Sequence, residues 1–396
     1  MADQSRVFRI SVRKRKFSFY IFLIVLFIAI FIRLLNATET ISFDYSGYIG
    51  LINTISSLSF SEFLARSAVR FPFFPWGRFG SVEIGFAITV FVLSKIMTPL
   101  VVYAFLASVT LTKKVSILGR SRLRLFRLIL FIIFSVSLFE LNAIRAGIAS
   151  LFLMLAMQCI LERGEIKKQL FYLTLACLYH VTAGFFVIPY LVSLVLNKSN
   201  TLLIGSLLMS CAAFYLMLNL GDVLVLFDNK IAEYYDQATT LGFYSTASGF
   251  NITTIICLFF AIRFYLEYRR QRFHNRMSSA KDLISTFPVS FGLVCGCLLF
   301  TMIFGAGIFA VFSDRLWQMT LPLLLMIDGF TNREESNFIL KELTITKMRL
   351  VSFILSRILD IALLYYIVVN LLLRYPLTNA FSWFFGEIQL EVMPIN

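Results

Sequence analysis

An all-α polytopic membrane protein of about eleven transmembrane helices is the fold class this sequence predicts, on three observations. The first is composition. Of 396 residues, 59% are hydrophobic and only 15% charged, 44 are Phe, and the mean hydropathy is +0.83. A chain in water with so little charge would expose far too much apolar surface. The second is that the apolar residues fall in runs, many of them near the roughly 17–25 residues that span about 30 Å of hydrocarbon as helix. The third is that Lys and Arg gather in alternate connections, the asymmetry that marks cytoplasmic loops.

The runs follow one another in a regular order. The first, 17–35, comes after the basic segment "RVFRISVRKRK". It is too long for a signal-peptide core, and "LLNATET" offers no convincing small-residue cleavage site, so it is read as a retained span with the N-terminus inside. The second, 84–111, contains Lys95 and Pro99; a lysine at mid-span needs a partner or water, and Asp360 is one candidate. Basic residues in "KKVSILGRSRLRLFR" precede the third, 125–139, and "ERGEIKKQ" follows the fourth, 146–161. The fifth and sixth, 170–179 and 181–197, are nearly continuous and part only at Tyr179-His180, which predicts a tight hairpin. The remaining runs are 201–220, 250–267, 284–304, 314–329 and 350–373.

Eleven spans from an inside N-terminus place 36–83 and 221–249 in outer loops and leave 374–396 as an outer tail. With no internal repeat, Gly-rich phosphate loop or low-complexity linker, residues 1–396 read as one integral-membrane domain. All six cysteines fall inside spans, without CxxC spacing, and read as small packed hydrophobes. The net charge of +14 comes with no aromatic-basic nucleic-acid motif, so it is a topology signal beside anionic membrane lipids.

A protein that keeps its cations inside should have few outer arginines, and the exceptions are Arg66, Arg70, Arg78, Arg145, Arg315 and Arg374, with Lys230. Arg66 and Arg70 are four apart and share a helix face. Arg145 in "NAIRAG" and Arg315 in "FSDRLWQ" each stand where a helix turns back into the membrane. A helix N-terminus already favours anions, and an added guanidinium makes a phosphate site there. The same two arginines equally fit snorkelling to the interface. Arg66, Arg70 and Arg78 fit a solvated loop face, His180 a packed histidine within its hairpin, and Asp44 an ordinary loop acid.

The motif order resembles the EpsG/Wzy group of bacterial polysaccharide polymerases. The residues that carry the resemblance are "DYSGY" after the first span, "LNAIRAGIASLFLMLA", "LACLYHVTAGFFVIPYL" and "DRLWQMTLPLLL". The middle block is the most specific: Asn142, Arg145, Ile148 and Ala149, a basic turn, Tyr179-His180, then Ile188-Pro189-Tyr190-Leu191. Apart from "DYSGY", the outer loops and the C-terminal tail carry none of it. What the resemblance implies is a multi-pass enzyme of the bacterial inner membrane with a GT-C-like helical core. It would polymerise undecaprenyl-diphosphate-linked oligosaccharide repeat units on the periplasmic face. Its implied partners are that lipid-linked substrate, membrane lipids, a chain-length regulator and a flippase.

On that reading Arg145 and Arg315 hold the diphosphate, since a guanidinium clamps phosphate oxygens bidentately. No Asp-x-Asp or clustered outer carboxylate suggests a metal, and no cofactor is called for. Asp44 and His180 are the candidates for proton transfer, with Asp44 favoured as base and His180 as a substrate contact. Tyr45, Tyr48, Arg66, Arg70, Arg78, Asn142 and Trp317 complete the substrate-binding set, the aromatics as platforms for sugar rings; an interfacial aromatic belt explains those aromatics equally well. An O-antigen ligase would use the same donor and similar arginines. A lipid-linked oligosaccharide flippase should show related halves, which this chain lacks.

Overall fold

The computed structural model describes residues 2–35, 45–68, 78–79, 82–120, 125–134, 143–162, 165–196, 252–277, 283–304, 310–335 and 343–369, with single positions at 205 and 208. These form α1 (Ala2–Leu35), α2 (Tyr45–Ser56), α3 (Phe60–Ala68), a two-stranded hairpin of β1 (Arg78–Phe79) and β2 (Val82–Glu83), then α4 (Ile84–Leu93), α5 (Pro99–Arg120) and α6 (Leu125–Phe134). Next come α7 (Ile144–Leu161), α8 (Ile166–Tyr179), a 3-10 turn (Val181–Phe186) and α9 (Val187–Leu196). The chain closes with α10 (Ile252–Met277), α11 (Leu283–Phe304), α12 (Ala310–Glu335) and α13 (Leu343–Val369). Apart from the hairpin, every described element is helical.

Two helices, α5 and α7, are long and apolar enough to cross a membrane by length and composition, and Phe19–Leu35, Ile84–Leu93, Phe287–Phe300 and Leu316–Phe330 are shorter apolar stretches. The apolar residues do not all turn inward. On α1, Ile21, Ile24, Val25, Ile28 and Ile32 are exposed, and on α13 so are Ile354, Ile358, Ile361 and Leu364. In water such bands would be costly; against lipid they are the expected outer surface of a helical membrane protein.

The expected break at Tyr179-His180 is present, as the 3-10 turn between α8 and α9. The expected 84–111 span is not one helix. It divides at 94–98, where Ser94 and Lys95 leave α4 and Pro99 opens α5, the position at which a missing N–H costs nothing. Lys95 therefore lies in a break between two helices and not inside one. It is exposed in the turn, its Nζ donates to the carbonyls of Ser56 (3.3 Å), the last residue of α2, and Leu58 (3.0 Å) just past it, and it lies over the Phe91 ring. Asp360, the partner considered for it, is engaged elsewhere.

That engagement is a buried ionic cluster joining four helices. Arg127 of α6 donates through Nε to Asp360 of α13 at 2.5 Å, pairs through Nη1 with Asp328 of α12, and reaches the Ser356 carbonyl and hydroxyl at 2.8 and 2.7 Å. Arg263 of α10 takes the second oxygen of Asp328. All four charged side chains are essentially shielded, and their formal charges cancel. Small residues bring α10 and α11 together beside this cluster: a Cβ on Gly296 would lie 3.1–3.2 Å from Ala261.

The contact that matters most for the site is between α4 and α8. A Cβ on Gly85 would lie 2.8 Å from the Leu178 carbonyl oxygen, so only glycine admits this approach, and Thr89 Oγ1 meets Tyr179 Oη at 2.5 Å one turn deeper. Gly85 is two residues from Glu83 and Leu178 two from His180. Gly85→Ala is therefore expected to push the end of α8 away and to destabilise the protein by about 1–3 kcal/mol. Gly50→Ala, where nothing lies within 4 Å, should do neither. Thermal denaturation of the two detergent-solubilised variants checks this, and equal melting would remove the contact's importance.

Candidate functional site

Three segments distant in sequence meet at one end of the bundle. Arg145 occupies the first turn of α7; the N-cap is Ala143, whose side chain cannot cap the helix, so the amide end of the helix dipole gets no side-chain hydrogen bond from that position. Glu83 ends β2 and is the residue before α4. His180 ends α8 and starts the 3-10 turn. Glu83 Oε2 accepts from Arg145 Nη1 at 2.5 Å, and Glu83 Oε1 lies 3.9 Å from His180 Nδ1. The carboxylate thus stands between the cation and the imidazole.

Each group is held from a second direction. Tyr48 of α2 is buried beneath Arg145, its ring 5.9 Å from the guanidinium carbon, and is itself packed on Phe86 and Tyr103. The Arg145 side chain is 20% exposed, His180 16% and Glu83 9%, so the cluster is sheltered yet reachable. His180 Nδ1 accepts from the Thr182 backbone N–H at 3.3 Å and lies 2.9 Å from Thr182 Oγ1. A backbone N–H can only donate, so in the neutral ring Nδ1 carries the lone pair and Nε2 the proton. Thr182 Oγ1 also reaches Met319 Sδ of α12, and Ser150 of α7 donates to the Met319 carbonyl at 3.1 Å. Met319 therefore ties α12 to both α7 and the 3-10 turn at the level of the cluster.

Arg315 stands four residues before Met319 on α12, one turn nearer the helix start and on the same face. Trp317 does not serve as an open platform. It is fully buried, edge-on to Tyr366 of α13, with Nε1 donating to the Tyr366 hydroxyl at 3.1 Å. Packing between helices, not a sugar face, occupies this ring.

Among the other expected residues, Tyr45 opens α2, Arg66 lies in α3, and Arg78 in β1 is the register partner of Glu83 across the hairpin. Asp44, Arg70 and Asn142 lie outside the described residues, as do the 221–249 loop and the 374–396 tail. Among the described residues no group of three or more His, Cys, Asp or Glu side chains is arranged to hold a metal. Glu83 is the residue that reading the sequence did not single out. A signal was available: an acid at the membrane edge immediately before an apolar run, in a loop otherwise rich in arginine.

The arrangement offers a guanidinium at a helix start, a carboxylate that can accept a proton, and an imidazole N–H that can donate. A family model described as the EpsG family matches residues 18–375. No curated protein and no solved structure matches the chain.

Proposed function

The chain belongs to the EpsG family, and on that premise we propose that it joins undecaprenyl-diphosphate-linked oligosaccharide repeat units into polysaccharide. The reaction takes place on the periplasmic face of the bacterial inner membrane, with the N-terminus in the cytoplasm and the C-terminus outside. The observation that carries the reading is the cluster of Arg145, Glu83 and His180 at the start of α7. Its end of the bundle is the one that the Lys and Arg asymmetry assigns to the outside.

The chemistry asks for charge stabilisation above all. An acceptor hydroxyl attacks the anomeric carbon of the growing chain, the bond to the diphosphate breaks, and undecaprenyl diphosphate leaves with the electron pair. Arg145 meets the charge that builds on the diphosphate, in a setting where water competes poorly. The N–H groups of the first turn of α7 point the same way and add to it. Arg315, one turn before Met319 on α12, supplies a second guanidinium, and Arg66, Arg70 and Arg78 draw the anionic donor toward the first outer loop. Tyr45, Tyr48 and Asn142 position the substrate, His180 contacts it through Nε2–H, and a carboxylate takes the proton, with Asp44 one candidate. A flippase delivers the donor and a chain-length regulator sets the product.

A deletion strain tests this in cells. Surface polysaccharide resolved by size should lose its ladder and retain a single-repeat band, and a plasmid copy should restore the ladder. Loss of every repeat would instead indicate transfer to a terminal acceptor or failed transport.

A further inference from the structure

Glu83 has a geometry that sets it apart from every other acid among the described residues: one carboxylate oxygen is on Arg145 and the other faces the His180 ring. We propose that Glu83 is the general base of the glycosyl transfer, and that Arg145 holds it inactive until a diphosphate arrives. The proposal rests on the polymerase reading above and adds to it the identity and the control of the proton acceptor.

First, His180 is poorly placed to be the base. Its lone-pair nitrogen, Nδ1, is turned to the Thr182 N–H at the start of the 3-10 turn, and the other nitrogen already carries a proton. Second, Glu83 in the empty site is a poor base, because a guanidinium 2.5 Å from Oε2 favours the ionised carboxylate and opposes taking up a proton. Third, an incoming diphosphate changes that balance. It carries more charge than a carboxylate and offers the guanidinium two oxygens, so it competes for Arg145, draws that cation's charge away from Glu83 and brings negative charge near it, both of which favour uptake of a proton by the carboxylate. The carboxylate then accepts the proton of the acceptor hydroxyl as that oxygen bonds to the anomeric carbon. The anomeric carbon–oxygen bond breaks, and undecaprenyl diphosphate departs with the bonding electrons. Electrons and protons balance with no further reactant. The consequence is order: the base becomes competent only when a donor is bound, which protects the site from moving protons without transferring sugar.

The test separates this proposal from the reading it rests on. Purified wild type, Glu83→Gln, Asp44→Asn and Arg145→Ala are compared in two measurements. One is binding of undecaprenyl diphosphate. The other is chain formation from the lipid-linked repeat unit extracted from the deletion strain. Glu83→Gln should lower chain formation by about a hundredfold or more, the scale of a lost general base. It should bind undecaprenyl diphosphate at least as tightly as wild type, because the competitor for Arg145 is neutralised. A merely structural Glu83 would lose both together, which overturns the proposal, as does Glu83→Gln transfer within threefold of wild type. An inactive Asp44→Asn beside an active Glu83→Gln would hand the role to Asp44. Should Glu83→Gln fail to accumulate, Glu83→Asp decides. Retained binding with transfer down about tenfold or more supports the base, and unchanged transfer overturns it. Arg145→Ala reports on the clamp: wild-type binding and transfer there would remove both the diphosphate contact and the control of Glu83 by Arg145, while the identity of the base is decided by Glu83→Gln.

Discussion

Replacing Arg145 by alanine is expected to lower repeat-unit polymerisation by about 10²–10³-fold at normal protein level, the cost of removing a preorganised donor from a developing anion. Lysine should recover little of this. It restores the charge but not the planar fork that spans two oxygens, and it presents a compact, strongly hydrated ammonium instead. Tyr48 sharpens the expectation, since the flat guanidinium rests over its ring and an ammonium on a flexible stem would lose that register. Steady-state chain formation by purified variants, with detergent-exclusion profiles as the control for folding, checks it. Activity of Arg145→Lys near that of wild type would show that charge alone suffices and would weaken the bidentate clamp.

The second large effect is on stability. Removing one member of the Arg127, Arg263, Asp328 and Asp360 cluster leaves an opposite charge buried, at a cost of about 3–5 kcal/mol. Asp328→Ala should be the most severe, since it strips a partner from both arginines at once. Asp360→Leu alone leaves Arg127 and Arg263 sharing Asp328, with one buried positive charge uncompensated. In Arg127→Met combined with Asp360→Leu that charge is gone, while the Arg263 to Asp328 pair remains. Arg357, which also pairs with Asp360, loses that partner equally in the single and in the double variant, so it drops out of the comparison. The double variant should therefore be more stable than the single Asp360→Leu, a coupling that a double-mutant cycle on melting temperature measures directly. Additive destabilisation would mean that the cluster is not acting as paired charge.

The cluster also bears on function through α12. Asp328 is nine residues beyond Met319, so at 1.5 Å per residue it lies about 14 Å deeper along the helix. An anchor at Asp328 and another at Met319 fix α12 at two heights, and the outer one carries the Arg315 end toward α7. The four buried charges then read as a joint that holds the outer site in register.

Much of this was legible in the sequence wherever information is local. Long apolar runs, the basic turns between them, the interruption at Tyr179-His180 and the arginine opening α7 are all visible within a dozen residues. The division of 84–111 was half visible. Pro99 and Lys95 were both there, but deciding that they end a helix rather than burden one required knowing that the Ser56 and Leu58 carbonyls wait for the lysine. Pairings across long separations were not legible at all. Glu83 and Arg145 are 62 positions apart, and Arg127 and Asp360 are 233 apart. Each of these residues alone looks like one charge in or beside a hydrophobic run. Trp317 illustrates the same limit from the other side: an aromatic near a helix start suits an interface, a sugar or a core, and only its neighbour Tyr366 decides for the core.

The most direct measurement reconstitutes the purified protein in liposomes with the lipid-linked repeat unit from the deletion strain as sole substrate. Products are resolved by size while released undecaprenyl diphosphate is counted. The account predicts a ladder of increasing length with one undecaprenyl diphosphate freed for each linkage formed, and neither product from Arg145→Ala. Repeat units that cross the bilayer or pass to a different acceptor, with no ladder and no matching release, would contradict it.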